Sequence, residues 1–241
     1  MQTYSTELEG TPVYGAKPDG PIKAGLIVIH EVWGLNAHIK EVADRFASEG
    51  YFAIAPDLLH GSDMGPIDPS LIQRSHQPET RDEAQKDLRA AMAPVQAPEF
   101  AVQTTATLKR LFAWLIDQPE TNGKVAVVGF CFGGTYSFGL AVAEPRLQGA
   151  VAFYGHANQS VEELKQITCP VLAFYGTEDT RLMDTLPELT NHMKEAGVSF
   201  TNTVYPDAGH AFFNDTNSST YRPEAATDSW KRTLAFLGGL V

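Results

Sequence analysis

The chain has 241 residues, with 18 basic against 29 acidic side chains and a formal net charge of −11. Such a field repels phosphate backbones and anionic bilayer surfaces, which argues against nucleic acid and membrane as partners. Hydrophobic residues make up 43% and mean hydropathy is −0.17, as in a globular chain of this length that buries roughly 70–75% of its unfolded surface.

The first residues, MQTYSTELEG, have no basic stretch leading into an apolar one, and no apolar run approaches the roughly 18 residues of a membrane span, so a cytoplasmic location is expected. Cys131 and Cys169 are the two cysteines. They are too few for a disulfide framework and lack metal-ligand neighbours, so each is expected to be a free thiol, with no metal site.

Ala24–His30 is a short, β-branched apolar run, and Tyr51–Ala55, Val125–Val128, Ala150–Tyr154 and Val171–Tyr175 repeat its character, as buried parallel strands do. Helical spacing fills the gaps at Ile39–Ser48, Thr104–Ile116 and Tyr136–Ala143. A further strand at Phe200–Tyr205 and a helix from Pro223 to Phe236, stopped by Gly238-Gly239, complete the alternation. Strand alternating with helix implies an α/β fold, a mostly parallel central sheet with helices on both faces. Between Leu58 and Pro98 the period is broken by Gly61, Gly65, Pro66, Pro69 and Pro78, and Pro94 and Pro98 interrupt a helical stretch from Glu79 to Trp114. Residues 58–98 read as an excursion over the sheet within one domain, 1–241.

Three segments carry candidate chemistry. The strand KVAVVGF runs into Gly129-Phe130-Cys131-Phe132-Gly133-Gly134 and then a helix, a G-x-C-x-G at a strand-to-helix turn. A nucleophile on so sharp a turn needs neighbours without side chains, and the helix start places N–H groups and positive potential by the sulfur. The plainer reading is a buried small residue in a turn, since free cysteine is often core. PVLAFYG ends in Thr177-Glu178-Asp179-Thr180, so a carboxylate stands beyond the carboxyl end of a strand, where open α/β sheets build their sites. Asp179 can orient an imidazole or cap the helix near Arg181, and Glu178 competes with it. Gly209-His210 then follows the last strand, and of seven histidines His210 alone has that setting. The order nucleophile, acid, histidine is that of hydrolases with this turn.

Together these marks resemble the dienelactone hydrolase family, the cysteine members of the α/β-hydrolase fold. The resemblance covers nearly the whole chain: His30-Glu31-Val32-Trp33-Gly34-Leu35-Asn36, Ala55-Pro56-Asp57-Leu58, GFCFGG, YGTED and AGHAFFN. It implies a cofactor-free hydrolase of a small ester or lactone. Cys131 would attack the acyl carbon and form a thioester, His210 would shuttle the proton, and Asp179 would orient the ring. It further implies an oxyanion hole from the N–H groups of Val32 and Phe132, and a role for Glu31 in activating the nucleophile. A glutamate ending an apolar strand needs a partner in any case, although it can also cap the following helix.

The family binds a substrate carboxylate through arginines, one of them four residues after the histidine; that position is Asn214 here, while Arg74 or Arg81 could supply the other. Trp33, Phe132, Tyr154, Phe212 and Asn214 adjoin the motifs as candidate pocket residues, and the aromatic ones could equally be core. His30 and His156, near predicted strand ends, can touch the pocket or be hydrogen-bonded core side chains, with no catalytic role expected of either, and Cys169 is expected to be an inert buried thiol. A small-molecule substrate and a monomer or small homo-oligomer are expected. A thioesterase or other acyl hydrolase or transferase on the same triad, and a non-catalytic ligand-binding member, remain as alternatives.

Overall fold

A computed structural model describes residues 1–64, 70–71, 74 and 79–240. The chain opens with a hairpin of two strands, β1 (Gln2–Leu8) and β2 (Thr11–Lys17), which the sequence pattern did not announce. Its turn, Glu9-Gly10, has both residues at positive φ, 52° and 76°. Such a turn is usually marked by Asn-Gly or Asp-Gly, and glutamate hides it. β1 is an exposed edge strand with no apolar alternation to betray it.

The α/β alternation follows: β3 (Ala24–Ile29), α1 (Ala37–Ser48), β4 (Tyr51–Pro56), α2 (Arg81–Gln96), α3 (Pro98–Ile116), β5 (Val125–Phe130), α4 (Phe132–Ala143), β6 (Ala150–Phe153), a short α5 (Val161–Leu164), β7 (Val171–Gly176), α6 (Thr180–Glu195), β8 (Phe200–Tyr205) and α7 (Pro223–Gly238). Among the described residues eight strands form one sheet in the order β1-β2-β4-β3-β5-β6-β7-β8. β1 with β2 and β2 with β4 are antiparallel; every other pairing is parallel. This is the α/β-hydrolase architecture. β3, β4, β5 and β7 are buried at every residue, which is why they read as unbroken apolar runs.

Local chemistry sets the helix starts. Asn36 caps α1, its side chain accepting from the Ile39 N–H at 3.1 Å, so Glu31 is left free of that duty. Ala97 is extended (φ −65°, ψ 138°) because Pro98 disfavours a helical residue before it, and Pro98 then opens α3. The break therefore falls at Ala97, while Pro94 is accommodated inside α2. Part of the expected 58–98 excursion, including Gly65, Pro66, Pro69 and Pro78, lies outside the described residues. No helix among the described residues is long and apolar enough to cross a membrane.

Candidate active site

The parallel strands end on one edge of the sheet, and there the three motifs meet. Cys131 follows β5 directly with φ 55° and ψ −109°, a conformation that costs a non-glycine residue about 1–3 kcal/mol. The surrounding glycines explain how it is held. A Cβ on Gly129 would collide with the Gly133 carbonyl, and one on Gly133 with the Ile29 carbonyl. The Cys131 N–H donates to Phe153 O at 3.0 Å and the Gly133 N–H to His30 O at 3.1 Å, tying the turn to β6 and β3. No protein acceptor takes the N–H of Val32 or of Phe132 among the described residues; at the first position of α4, Phe132 has none within the helix.

His210 lies in the loop after β8, its Nδ1 2.5 Å from Asp179 Oδ2. Asp179 stands at the N-cap of α6 but makes no side-chain cap bond, so its carboxylate serves the imidazole rather than the helix. Glu178 turns away: its side chain is 56% exposed and 3.7 Å from Arg222. The acid and histidine loops are bound together by backbone, Glu178 N–H to Ala208 O at 2.9 Å and Thr177 N–H to Tyr205 O at 3.0 Å. Burial works against an imidazolium at His210. Yet the charge on the Cys131 sulfur, hydrogen bonds to Asp179 and Cys131, and the Asp179 charge raise its pKa to about 10. Asp179 and His210 are thus hydrogen-bonded to each other, and His210 shares a cavity wall with Cys131.

Glu31 is 1% exposed. The Tyr154 hydroxyl donates to its Oε1 at 3.2 Å and Asn214 Nδ2 to its Oε2 at 2.7 Å. Burial, then the charges of Glu31 and Cys131, push the Tyr154 phenol far above its ordinary range, so it remains a neutral donor. Its ring lies 5.1 Å from that of His210. His30 Nε2 accepts from the Leu58 N–H at 3.0 Å, so its Nδ1 carries the proton and donates to Glu31 O at 2.5 Å. Burial depresses its pKa, and its ring stacks on Phe132.

Cys131 and His210 open onto a cavity of about 530 Å³ whose wall includes Val32, Phe132 and Tyr154. Three expected pocket residues are not on that wall. Trp33 turns to solvent, 37% exposed; Phe212 is fully buried against Tyr154 and Tyr205; Asn214 sits behind Glu31 as its donor. The wall also carries residues that sequence reasoning passed over, among them Met92, Val95, Tyr136 and Arg181. Tyr136 was within reach, since it lies one turn beyond Phe132 on the same helix face. Arg74 pairs with Glu83 at 3.3 Å away from the cavity, and the Arg81 side chain lies outside the described residues. Among the described residues no three His, Cys, Asp or Glu side chains are grouped to hold a metal ion.

Fold and site together define an α/β-hydrolase in which a cysteine occupies the strand-to-helix elbow. Residues 11–240 match the family model for the dienelactone hydrolase family. The chain belongs to that family and is a hydrolase of dienelactone type. A Saccharolobus solfataricus protein provisionally named carboxymethylenebutenolidase is 34% identical over 238 residues, covering 92% of this chain and 91% of its own. An Escherichia coli protein of the same provisional name is 29% identical, covering 94% and 81%. Among solved structures, a provisionally named dienelactone hydrolase from Klebsiella pneumoniae superposes with a TM-score of 0.78 at 28% identity, covering 98% of this chain and 97% of its own.

Proposed function

We propose that the chain hydrolyses a small ester or lactone through a thioester on Cys131. His210 holds the proton drawn from the thiol, the sulfur attacks the carbonyl carbon, and the oxyanion is received by the N–H groups of Val32 and Phe132. As the tetrahedral intermediate collapses, His210 gives its proton to the departing alkoxide. Water, losing a proton to His210, then attacks the thioester; the C–S bond breaks and the carboxylic acid leaves. Asp179 keeps the Nδ1 proton on its side of the ring throughout, which leaves Nε2 for the chemistry. Glu31 acts as a positioning residue through Tyr154, whose ring packs against His210. No cofactor takes part in this scheme, and we assign a cytoplasmic enzyme, a monomer or a small homo-oligomer.

The observation that supports this reading is His210 Nδ1 2.5 Å from Asp179 Oδ2, with His210 and Cys131 on the wall of one cavity. Names borne by relatives favour the lactone carboxymethylenebutenolide as a first substrate to try. The test is turnover of p-nitrophenyl acetate by the purified wild type and Cys131→Ala. Wild-type hydrolysis with an acyl adduct on Cys131 by mass spectrometry, both lost in the variant, is expected. Equal hydrolysis by the variant overturns the scheme.

A further inference from the structure

α4 leaves the elbow with a single open stripe. Between Phe132 and Leu140 the residues that are not buried are Phe132, Thr135, Tyr136 and Gly139, and all four line the cavity. Their spacing, i, i+3, i+4 and i+7, is one helix face, so this wall runs from Phe132 to Gly139, about 10 Å at the helical rise. α3 packs on α4, with the Phe100 ring 6.1 Å from that of Phe132, and gives Pro98, Ala101 and Thr105, again on one helix face, to the cavity. Met92 and Val95 of α2 join them. Among the described residues this stretch of wall carries no charge; the cavity's arginine, Arg181, comes after β7, on the far side of β5 from β3 in the strand order.

Gly139 is the residue on this face that the fold does not explain. In a helix interior glycine costs stability relative to alanine, because it loses more backbone freedom on folding. Gly133 and Gly134 are required by close backbone: a Cβ on the first would strike the Ile29 carbonyl, and one on the second the Phe153 carbonyl. Gly139 has no such neighbour and no positive φ. Among the described residues a Cβ there would meet only the Gln159 side-chain nitrogen, at 3.8 Å, which is an ordinary contact. Gln159 is itself on the cavity wall, so that Cβ would narrow the cavity rather than fill the core. What the missing side chain leaves is room along α4, in a cavity whose volume of about 530 Å³ is mid-range for sites that take drug-sized molecules, roughly 300–1,000 Å³.

We propose that the open face of α4 takes an unbranched apolar arm of the ester, running from the carbonyl at Cys131 over Phe132 and Tyr136, and that Gly139 sets how long this arm can be. Gly139 is then a specificity-determining residue, and the preferred ester carries an arm of about octanoyl length, roughly 10 Å when extended. The assignment deepens the ester-hydrolase reading and rests on it. The rings of Phe132 and Tyr136, 4.6 Å apart, offer apolar surface, and each methylene that leaves water for it gains about fourfold in kcat/KM. A side chain at position 139 takes room from the far end of a long arm and does not reach a short one.

The experiment measures kcat/KM along two series: p-nitrophenyl esters from acetyl to octanoyl, which lengthen the acyl half, and acetate esters from ethyl to octyl, which lengthen the alcohol half. In the wild type kcat/KM is expected to climb with length in at least one series, which tells which half lies along α4. Gly139→Leu is expected to cut the long-to-short ratio of that series by about 15- to 60-fold, the worth of about two or three methylenes, and Gly139→Ala by about fourfold. Gly139→Ala should at the same time raise Tm by about 1–4 °C, so that a lost ratio is not lost folding. Calorimetry with the uncleavable amides octanamide and N-octylacetamide, against butanamide and N-butylacetamide, reads the same length preference in wild type and Gly139→Leu without turnover, so that failure of the thioester scheme is told apart from failure of this assignment. A flat length dependence in both series and both amide pairs, or long-to-short ratios unchanged in both glycine variants, overturns it.

Discussion

Replacing Asp179 by asparagine tests the relay against its nearest rival, because Glu178 is adjacent and equally acidic. The Asp179 side chain is 8% exposed with Oδ2 2.5 Å from His210 Nδ1, whereas Glu178 is 56% exposed and reaches only Arg222. Losing a hydrogen bond to a charged partner costs about 1.5–3 kcal/mol, which alone slows the reaction by roughly ten- to hundredfold. An asparagine that turns its amide N–H toward the ring also favours the wrong tautomer, and in triads of this kind the combined loss approaches about 10⁴. Asp179→Asn is therefore expected to lower kcat by about 10²–10⁴, and Glu178→Gln, which removes only an exposed pair, to leave it within about twofold. Steady-state hydrolysis of p-nitrophenyl acetate measures both. Proton NMR of the imidazole adds a second reading: His210 keeps its proton until the pH nears about 10, and in Asp179→Asn it should let go at lower pH because two of the effects holding the proton are gone. Comparable losses from the two variants, or an unchanged His210 titration in Asp179→Asn, would refute the assignment.

The sulfur contributes to the same proton, so Cys131→Ala should also lower the pH at which His210 titrates, leaving burial less opposed; NMR of that variant checks the direction. Iodoacetamide should label Cys131 well before Cys169 in the folded protein, since Cys169 is 6% exposed and burial pushes its thiol up to about 11; similar rates by peptide mass spectrometry count against an activated Cys131. Asn214→Leu strips the closer donor from a buried carboxylate oxygen of Glu31, a loss of about 1–3 kcal/mol that should lower Tm by roughly 2–10 °C for a chain of this size. An unchanged melting curve would mean that Glu31 finds another donor.

The parallel core was legible because its strands are buried on both faces and leave unbroken apolar runs, and the elbow was legible because its glycines are forced by backbone contact. What stayed hidden follows from the same physics. The β1–β2 hairpin has an exposed strand and a Glu-Gly turn, so neither burial nor turn chemistry marks it. Choosing between Asp179 and Glu178 needed the direction of side chains at a loop, on which a strand's period is silent. The pocket lining came from α2 and α3, which lie far from the motifs in sequence, while Phe212 and Asn214, next to the histidine motif, were drawn into the core behind it. Closeness in sequence to a catalytic motif is a weak guide to which side chains a substrate meets.

The positive-φ residues Cys131 and Tyr154 directly follow the adjacent strands β5 and β6, at 55° and 39°, and each is followed closely by glycine. Gly134 and Gly155 leave no room for a Cβ between them, and the Cys131 N–H is tied to Phe153 O, the residue before Tyr154. The two strained residues are thus held by one shared backbone contact. The Tyr154 hydroxyl is in turn fixed by Glu31, which leads back to β3, and Glu31 by Asn214, in the loop that carries His210. Strain of about 1–3 kcal/mol at each residue persists because three strands and a loop converge on it. The nucleophile, the tyrosine beside it and the histidine cannot shift independently, which gives Asn214 a reason to be where it is: it joins the histidine loop to the buried glutamate without bringing a charge into the site.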